Sequence, residues 1–268
     1  MSDILILAVF LSFVVFLAVP GPGKFAAAAG WCFIVLNLWS EMPALLQEKN
    51  FLYPSLALLS LPFLAITVLS LVREDPAAMQ LSRTAAVASV IFAPFALIPV
   101  VRDTLVSLII GQVFLLVTAL GYQPVMPVWD LIVMNGFPMQ LVLTCTGIFP
   151  IAMMLGVAYG APGLSRKQAI CSFLLVVPVI FVLNLLRVVA VFIAVSDRWF
   201  SSFPDPTGTG DGSFFWAHNV FAEGLAIMVV LGLLYGLFRI NPGLATFGRE
   251  LGRTYRDRVR VRVILRRD

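Results

Sequence analysis

The chain has 268 residues, 60% of them hydrophobic and 12% charged, with a mean hydropathy of +1.00 and a formal net charge of +4. A water-soluble domain of this length needs far more polar surface, so the composition excludes one and calls for a lipid bilayer. Three cysteines, Cys32, Cys145 and Cys171, offer neither an even-numbered disulfide framework nor a metal-ligand spacing.

Apolar segments long enough to cross about 30 Å of hydrocarbon run approximately over 4–19, 25–40, 51–72, 84–101, 104–121, 143–160, 169–195 and 218–238. The expectation is an all-α, polytopic integral membrane protein with about eight transmembrane helices, seven to eight, in a single membrane domain. The first segment carries Asp3 in place of a basic region, and Pro20-Gly21-Pro22-Gly23 makes a poor cleavage site, so it reads as a retained helix. Residues 1–240 form the expected transmembrane catalytic domain, with 143–240 as its active-site half, and 241–268 a basic cytoplasmic tail. That tail carries Arg249, Arg253, Arg256, Arg258, Arg260, Arg262, Arg266 and Arg267, just after Arg239. Anionic headgroups are its nearest partner, and we read it as membrane contact rather than nucleic-acid binding.

Working back from a cytoplasmic tail, Arg166 and Lys167 fall inside, and the 122–142 and 196–217 loops fall outside. Farther back, an eight-helix arrangement leaves Arg73 and Arg83 outside, beside Glu74 and Asp75, and the boundary near Arg102 and Asp103 is the weakest point of the count. The two outer loops hold Pro124, Pro127, Trp129, Gly136 and Pro138 in one and Trp199, Phe200, Pro204, Pro206, Phe214 and Trp216 in the other. Tryptophans there fit a belt at headgroup depth. The run from Val125 to Met139 is too short and interrupted to span, which leaves an interfacial loop or a lid dipping inward. Gly208 to Gly212 reads as a flexible loop rather than a phosphate loop, and Asp205 with Asp211 lacks the further spacing of a hard-cation site.

Polar groups in the last apolar segments carry the chemistry. Cys145 lies in Thr144-Cys145-Thr146-Gly147-Ile148 and opens the sixth segment, while His218 opens the eighth at the same level. Arg187 lies eight residues before Val195, about 12 Å from the outer end of the seventh, a gap that its side chain partly bridges. A free thiol has a pKa of about 8.5, so a nucleophilic Cys145 needs a neighbouring cation or base. Arg187 suits thiolate and oxyanion stabilisation, and His218 suits general acid and base work. Asn184, three residues before Arg187, would orient the guanidinium or contact substrate, and Glu223 would partner either cation. A guanidinium buried in hydrocarbon is costly and marks function, whereas Cys32 and Cys171 read as packing residues. No metal or cofactor motif is visible.

At these residues the chain resembles the exosortase and archaeosortase family. The resemblance rests on Thr144-Cys145-Thr146-Gly147-Ile148, on Val182-Leu183-Asn184-Leu185-Leu186-Arg187 and on Ala217-His218-Asn219-Val220. It covers the last half of the chain, and the first half matches as generic membrane helices. Family members use either histidine or arginine at the third position, so His218 and Asn219 stand as adjacent candidates. The resemblance implies an archaeal multi-pass cell-membrane transpeptidase with its site on the extracellular side, acting on secreted proteins that end in a Pro-Gly-Phe motif, a transmembrane helix and a basic cluster. It implies a thioester on Cys145, resolved by an aminophospholipid. Two other readings stay open: a secondary transporter or channel in which Arg187 binds an anionic solute, and an intramembrane cysteine protease without lipid transfer.

Overall fold

The computed structural model describes residues 2–19, 21, 23–47, 52–161, 163–208 and 212–264. Helices α1 (Ser2–Ala18), α2 (Gly23–Ser40), α3 (Met42–Gln47), α4 (Leu52–Val72), α5 (Pro76–Leu97) and α6 (Pro99–Ala119) precede strands β1 (Val125–Val128), β2 (Leu131–Met134) and β3 (Phe137–Gln140). A 3-10 turn (Leu143–Thr146), α7 (Ile148–Gly160), α8 (Arg166–Ser196), a π-helical segment (Phe215–Ala222), α9 (Glu223–Ile240) and α10 (Pro242–Ile264) follow. Among the described residues, six helical stretches are long and apolar enough to span a bilayer, and α1 and α7 are apolar but shorter. The count of eight full-length spans is therefore not reached.

Local chemistry sets several helix ends. Asp75 caps α5 by accepting from the amides of Ala77 and Ala78, and Pro76 fills the first helical position, where its missing N–H costs nothing. Ser165 and Gln168 form a reciprocal capping box at the start of α8. Between α5 and α6 the chain breaks at Ile98, which is extended (φ −106°, ψ 105°). Pro99 disfavours the helical region for the residue before it. The break thus falls earlier than the Arg102–Asp103 boundary expected from charge, and that ion pair, at 3.1 Å, lies within α6.

Hydrogen bonds between helix ends fix the direction of travel. Gln80 in α5 donates to the Gly160 carbonyl at the end of α7, and Gln168 at the start of α8 donates to Ile240 at the end of α9. Lys24 at the start of α2 pairs with Glu74, just beyond α4. At the other end Tyr122, after α6, donates to Asp197, the residue that closes α8. The α5–α6 pair therefore makes one bent traverse of the bundle rather than two antiparallel crossings. Lys24, Arg73, Arg166, Lys167 and Arg239 consequently all lie at one end of the bundle.

Packing between helices is close where side chains are small. A Cβ on Gly156 would lie 2.6 Å from both Ala88 Cβ and the Thr84 carbonyl, and one on Gly160 would lie 2.6 Å from Thr84 Cα. Two glycines four residues apart thus let α7 press its backbone onto α5. In the first half, Trp31 meets Phe13 and Phe63 edge-on and donates to Ser82 Oγ at 3.0 Å.

One small sheet interrupts the otherwise helical chain. Strands β1, β2 and β3 form an antiparallel sheet in that order, with Asn135 (φ 52°) and Gly136 (φ 79°) turning β2 into β3. Both left-handed positions suit an Asn-Gly hairpin turn. Pro127 and Pro138 sit in the two edge strands, and the central strand has no proline, as the ladder requires. The 125–139 run is thus a plate: Ile132, Met134 and Leu141 are buried against α6 and the Val188–Ile193 part of α8. Asn135 donates to Asp197 at 2.9 Å, which ties the hairpin to the end of α8.

Candidate active site

The last strand leads directly to the thiol. Leu141 donates its amide to Asp130 across the sheet, and the 3-10 turn at Leu143–Thr146 then carries Cys145, whose amide bonds the Val142 carbonyl. Cys145 thus precedes α7 rather than opening it, and it packs half-buried against the α6–α8 core. Thr144 is exposed, whereas Thr146 is buried and donates to the Leu143 carbonyl at 2.7 Å. Gly147 follows at φ 78°, a left-handed position that no side chain adopts without strain.

Asn184 stands against this turn. Its Nδ2 donates to the Cys145 carbonyl at 2.7 Å, and a Cβ on Gly147 would meet Asn184 Cγ at 3.1 Å. Arg187 Nη1 reaches Asn184 Oδ1 at 3.5 Å, and Nη2 faces His218 Nε2 at 3.5 Å. A guanidinium only donates, so in this contact His218 Nε2 stands as the acceptor, and Nδ1 lies 2.9 Å from Asn219 Oδ1. One polar line therefore runs from the Cys145 carbonyl through Asn184, Arg187 and His218 to Asn219. Among the described residues no hydrogen bond joins the thiol itself to Arg187 or His218. The Arg187 Nε is buried without a hydrogen-bond partner in the protein, which leaves a donor for a reacting carbonyl oxygen.

His218 belongs to the π-helical segment rather than to an ordinary helix start. The wider turn has a positional effect. In an α-helix a residue five positions on would sit about 140° around the axis, whereas here the Glu223 amide bonds the His218 carbonyl directly. The imidazole stacks on Phe214, with ring centroids 5.1 Å apart and planes 6° from parallel. Aromatic contacts brace the segment from the side: Trp216 donates to the Pro204 carbonyl at 2.8 Å and meets Phe203 edge-on, and Phe221 stacks on Phe200.

One residue of the site escaped sequence reading. Tyr53, in the first turn of α4, lies within the electrostatic reach of both Glu223 and Arg187, so the N-terminal half also borders the site. Glu223 itself is buried. Residues 209–211, including Asp211, lie outside the described residues, and Asp205 accepts from the Thr207 amide within its own turn. Among the described residues no group of three or more His, Cys, Asp or Glu side chains forms a metal site.

Fold and site together define a polytopic helical membrane protein with a cysteine, an arginine and a histidine gathered at one end of the bundle. Two known proteins are similar to the chain over most of its length. Archaeosortase A of Haloferax volcanii is 28% identical over 253 residues, covering 84% of this chain and 82% of its own. Archaeosortase A of Natronomonas pharaonis is 26% identical over 257 residues, covering 85% of this chain and 79% of its own. These similarities support membership of the archaeosortase family, the resemblance that the motifs around Cys145, Arg187 and His218 carry. No family model matches the chain, and no solved structure matches it.

Proposed function

We propose that the chain is a membrane-embedded cysteine transpeptidase that processes the C-terminal sorting signal of secreted proteins. The observation that carries this reading is the polar line joining the Cys145 turn to Asn184, Arg187 and His218 inside an otherwise apolar bundle. The archaeosortase A relatives supply the processing context, and the Pro-Gly-Phe signal comes from the family resemblance. Cys145 Sγ, as thiolate, attacks the backbone carbonyl near that motif. The oxyanion that forms is met by Arg187, whose positive charge also favours the thiolate. The thiol proton passes through the His218 imidazole to the departing amine, and the peptide C–N bond breaks to leave a thioester. The amine of an aminophospholipid then attacks the thioester, forms an amide and returns the proton to sulfur. With the arginine- and lysine-rich end of the bundle on the cytoplasmic side, the site faces the extracellular leaflet, where it meets both a translocated protein and a lipid headgroup.

The test uses purified wild type and Cys145→Ala in lipid, with a peptide that carries the Pro-Gly-Phe signal and its helix. Intact-mass spectrometry should find an adduct on the wild type only, released by aminophospholipid as a lipid-linked peptide. Cleavage by Cys145→Ala at the wild-type rate refutes the nucleophile, and release by water alone reduces the enzyme to a protease.

A further inference from the structure

At the end of the bundle away from Cys145, α9 and α10 leave an open, shallow cleft of about 530 Å³, lined by Phe238, Ala245, Gly248 and Arg249. The Gln168–Ile240 bond marks this end of the bundle, and from Gln168 to Arg187 helix α8 advances about 28 Å. The cleft is thus remote from the candidate active site.

Its walls follow from the sequence of α10. Leu244 is buried against the bundle, and Tyr255 stacks on Phe63 of α4, with centroids 5.5 Å apart, and hydrogen-bonds Thr67. Thr254 adds a 3.5 Å contact to Asp75. These contacts hold α10 across the bundle as a docked helix. Toward Phe238 it presents small residues: a Cβ on Gly248 would meet only the tip of the Phe238 ring, at 3.9 Å. Arg249 stands at the same cleft, exposed, with Nη2 on Thr246 Oγ1 at 3.3 Å. Arg253 and Arg256 continue its stripe at helical spacing.

We propose that this cleft binds an anionic membrane phospholipid, with a hydrocarbon chain against Phe238, Ala245 and Gly248 and the phosphate on the Arg249 guanidinium. Apolar walls beside a single cation match a molecule with a chain and a charged head. A free phosphate offers nothing to the walls, and a zwitterionic lipid presents less net charge to the arginine. Phe238 lies in the last turn of α9, so the cleft sits at the end of a candidate membrane span.

The full chain in mixed phosphatidylglycerol and phosphatidylcholine is examined by native mass spectrometry for the lipid that it retains, with thermal unfolding in phosphatidylcholine alone as the check of folding. Wild type should retain phosphatidylglycerol preferentially. Arg249→Gln should lower that preference about fivefold, the effect of one basic residue at a membrane surface. Gly248→Leu fills the cleft with the charge intact and should lower it at least threefold, about the effect of excluding one or two methylenes from an apolar site. Arg256→Gln, exposed, off the cleft wall and beside the Asp257 carboxylate at 3.9 Å, should change it less than Arg249→Gln does. Three results overturn the assignment: unchanged preference in both cleft variants, an equal loss in Arg256→Gln, or displacement of the lipid by soluble glycerol phosphate.

Discussion

Gly147→Ala probes the joint between the thiol turn and the arginine helix. Gly147 has φ 78°, and an alanine held there costs about 1–2 kcal/mol. The new methyl would also lie 3.1–3.3 Å from three atoms of Asn184, so that side chain must retreat by a few tenths of an ångström. The hydrogen bond from Asn184 Nδ2 to the Cys145 carbonyl, now 2.7 Å, lengthens as a result. Weakening a bond in so apolar a setting costs about 1–3 kcal/mol, or about 5- to 160-fold if the turn's position is needed in the transition state. Gly136→Ala is the matched control: its φ is 79°, and nothing lies within 4 Å of the added carbon. Both variants should lose about the same stability from backbone strain, read as unfolding in detergent. Only Gly147→Ala should slow covalent adduct formation, by about 5-fold or more relative to Gly136→Ala. Equal adduct rates in the two variants would refute the coupling of Cys145 to Arg187 through Asn184.

Arg187→Lys keeps the charge but loses the fork that touches Asn184 and His218 with separate nitrogens, and should slow adduct formation about 100-fold; an unchanged single-turnover rate would leave a point charge sufficient. Gly156→Val drives a side chain into Ala88 and the Thr84 carbonyl, and should destabilise the α5–α7 pair by about 1–3 kcal/mol, seen as a lower unfolding midpoint. The hydrogen bond from Tyr122 to Asp197, with burial and the carboxylate charge, raises the phenol above its ordinary value of 10.0. A raised phenol favours the folded state below the unfolded value, and this contribution fades as pH rises through the folded one. Amide exchange in the sheet should therefore accelerate in wild type above about pH 10, and Tyr122→Phe should lack that component.

The candidate site could be picked out because Cys145, Asn184, Arg187 and His218 are polar groups in apolar runs, where each requires an explanation. Tyr53 was not, since a tyrosine at the start of a membrane helix reads as an ordinary interfacial residue. Nor was the π-helical segment, because no local residue pattern marks a wide turn, and the contacts of Trp216 and Phe221 with Phe203 and Phe200 appear only in the folded chain. The sheet did leave a signal in Asn135-Gly136, but the prolines at 127 and 138 obscured it, and only the strand order shows both on edges. The direction of α5 and α6 was misread because charge drew the boundary to Arg102, whereas Pro99 governs the backbone.

Helix α8 has 31 residues and is about 46 Å long, whereas the hydrocarbon of a bilayer is about 30 Å thick. If it stands untilted with Arg166 at one boundary, the opposite boundary falls near Leu186. Beyond that point Val188, Val189 and every residue from Phe192 to Ser196 are buried, clothed by α6 and the sheet. Arg187 then occupies the rim of the hydrocarbon slab, with water within reach on one side and hydrocarbon on the other.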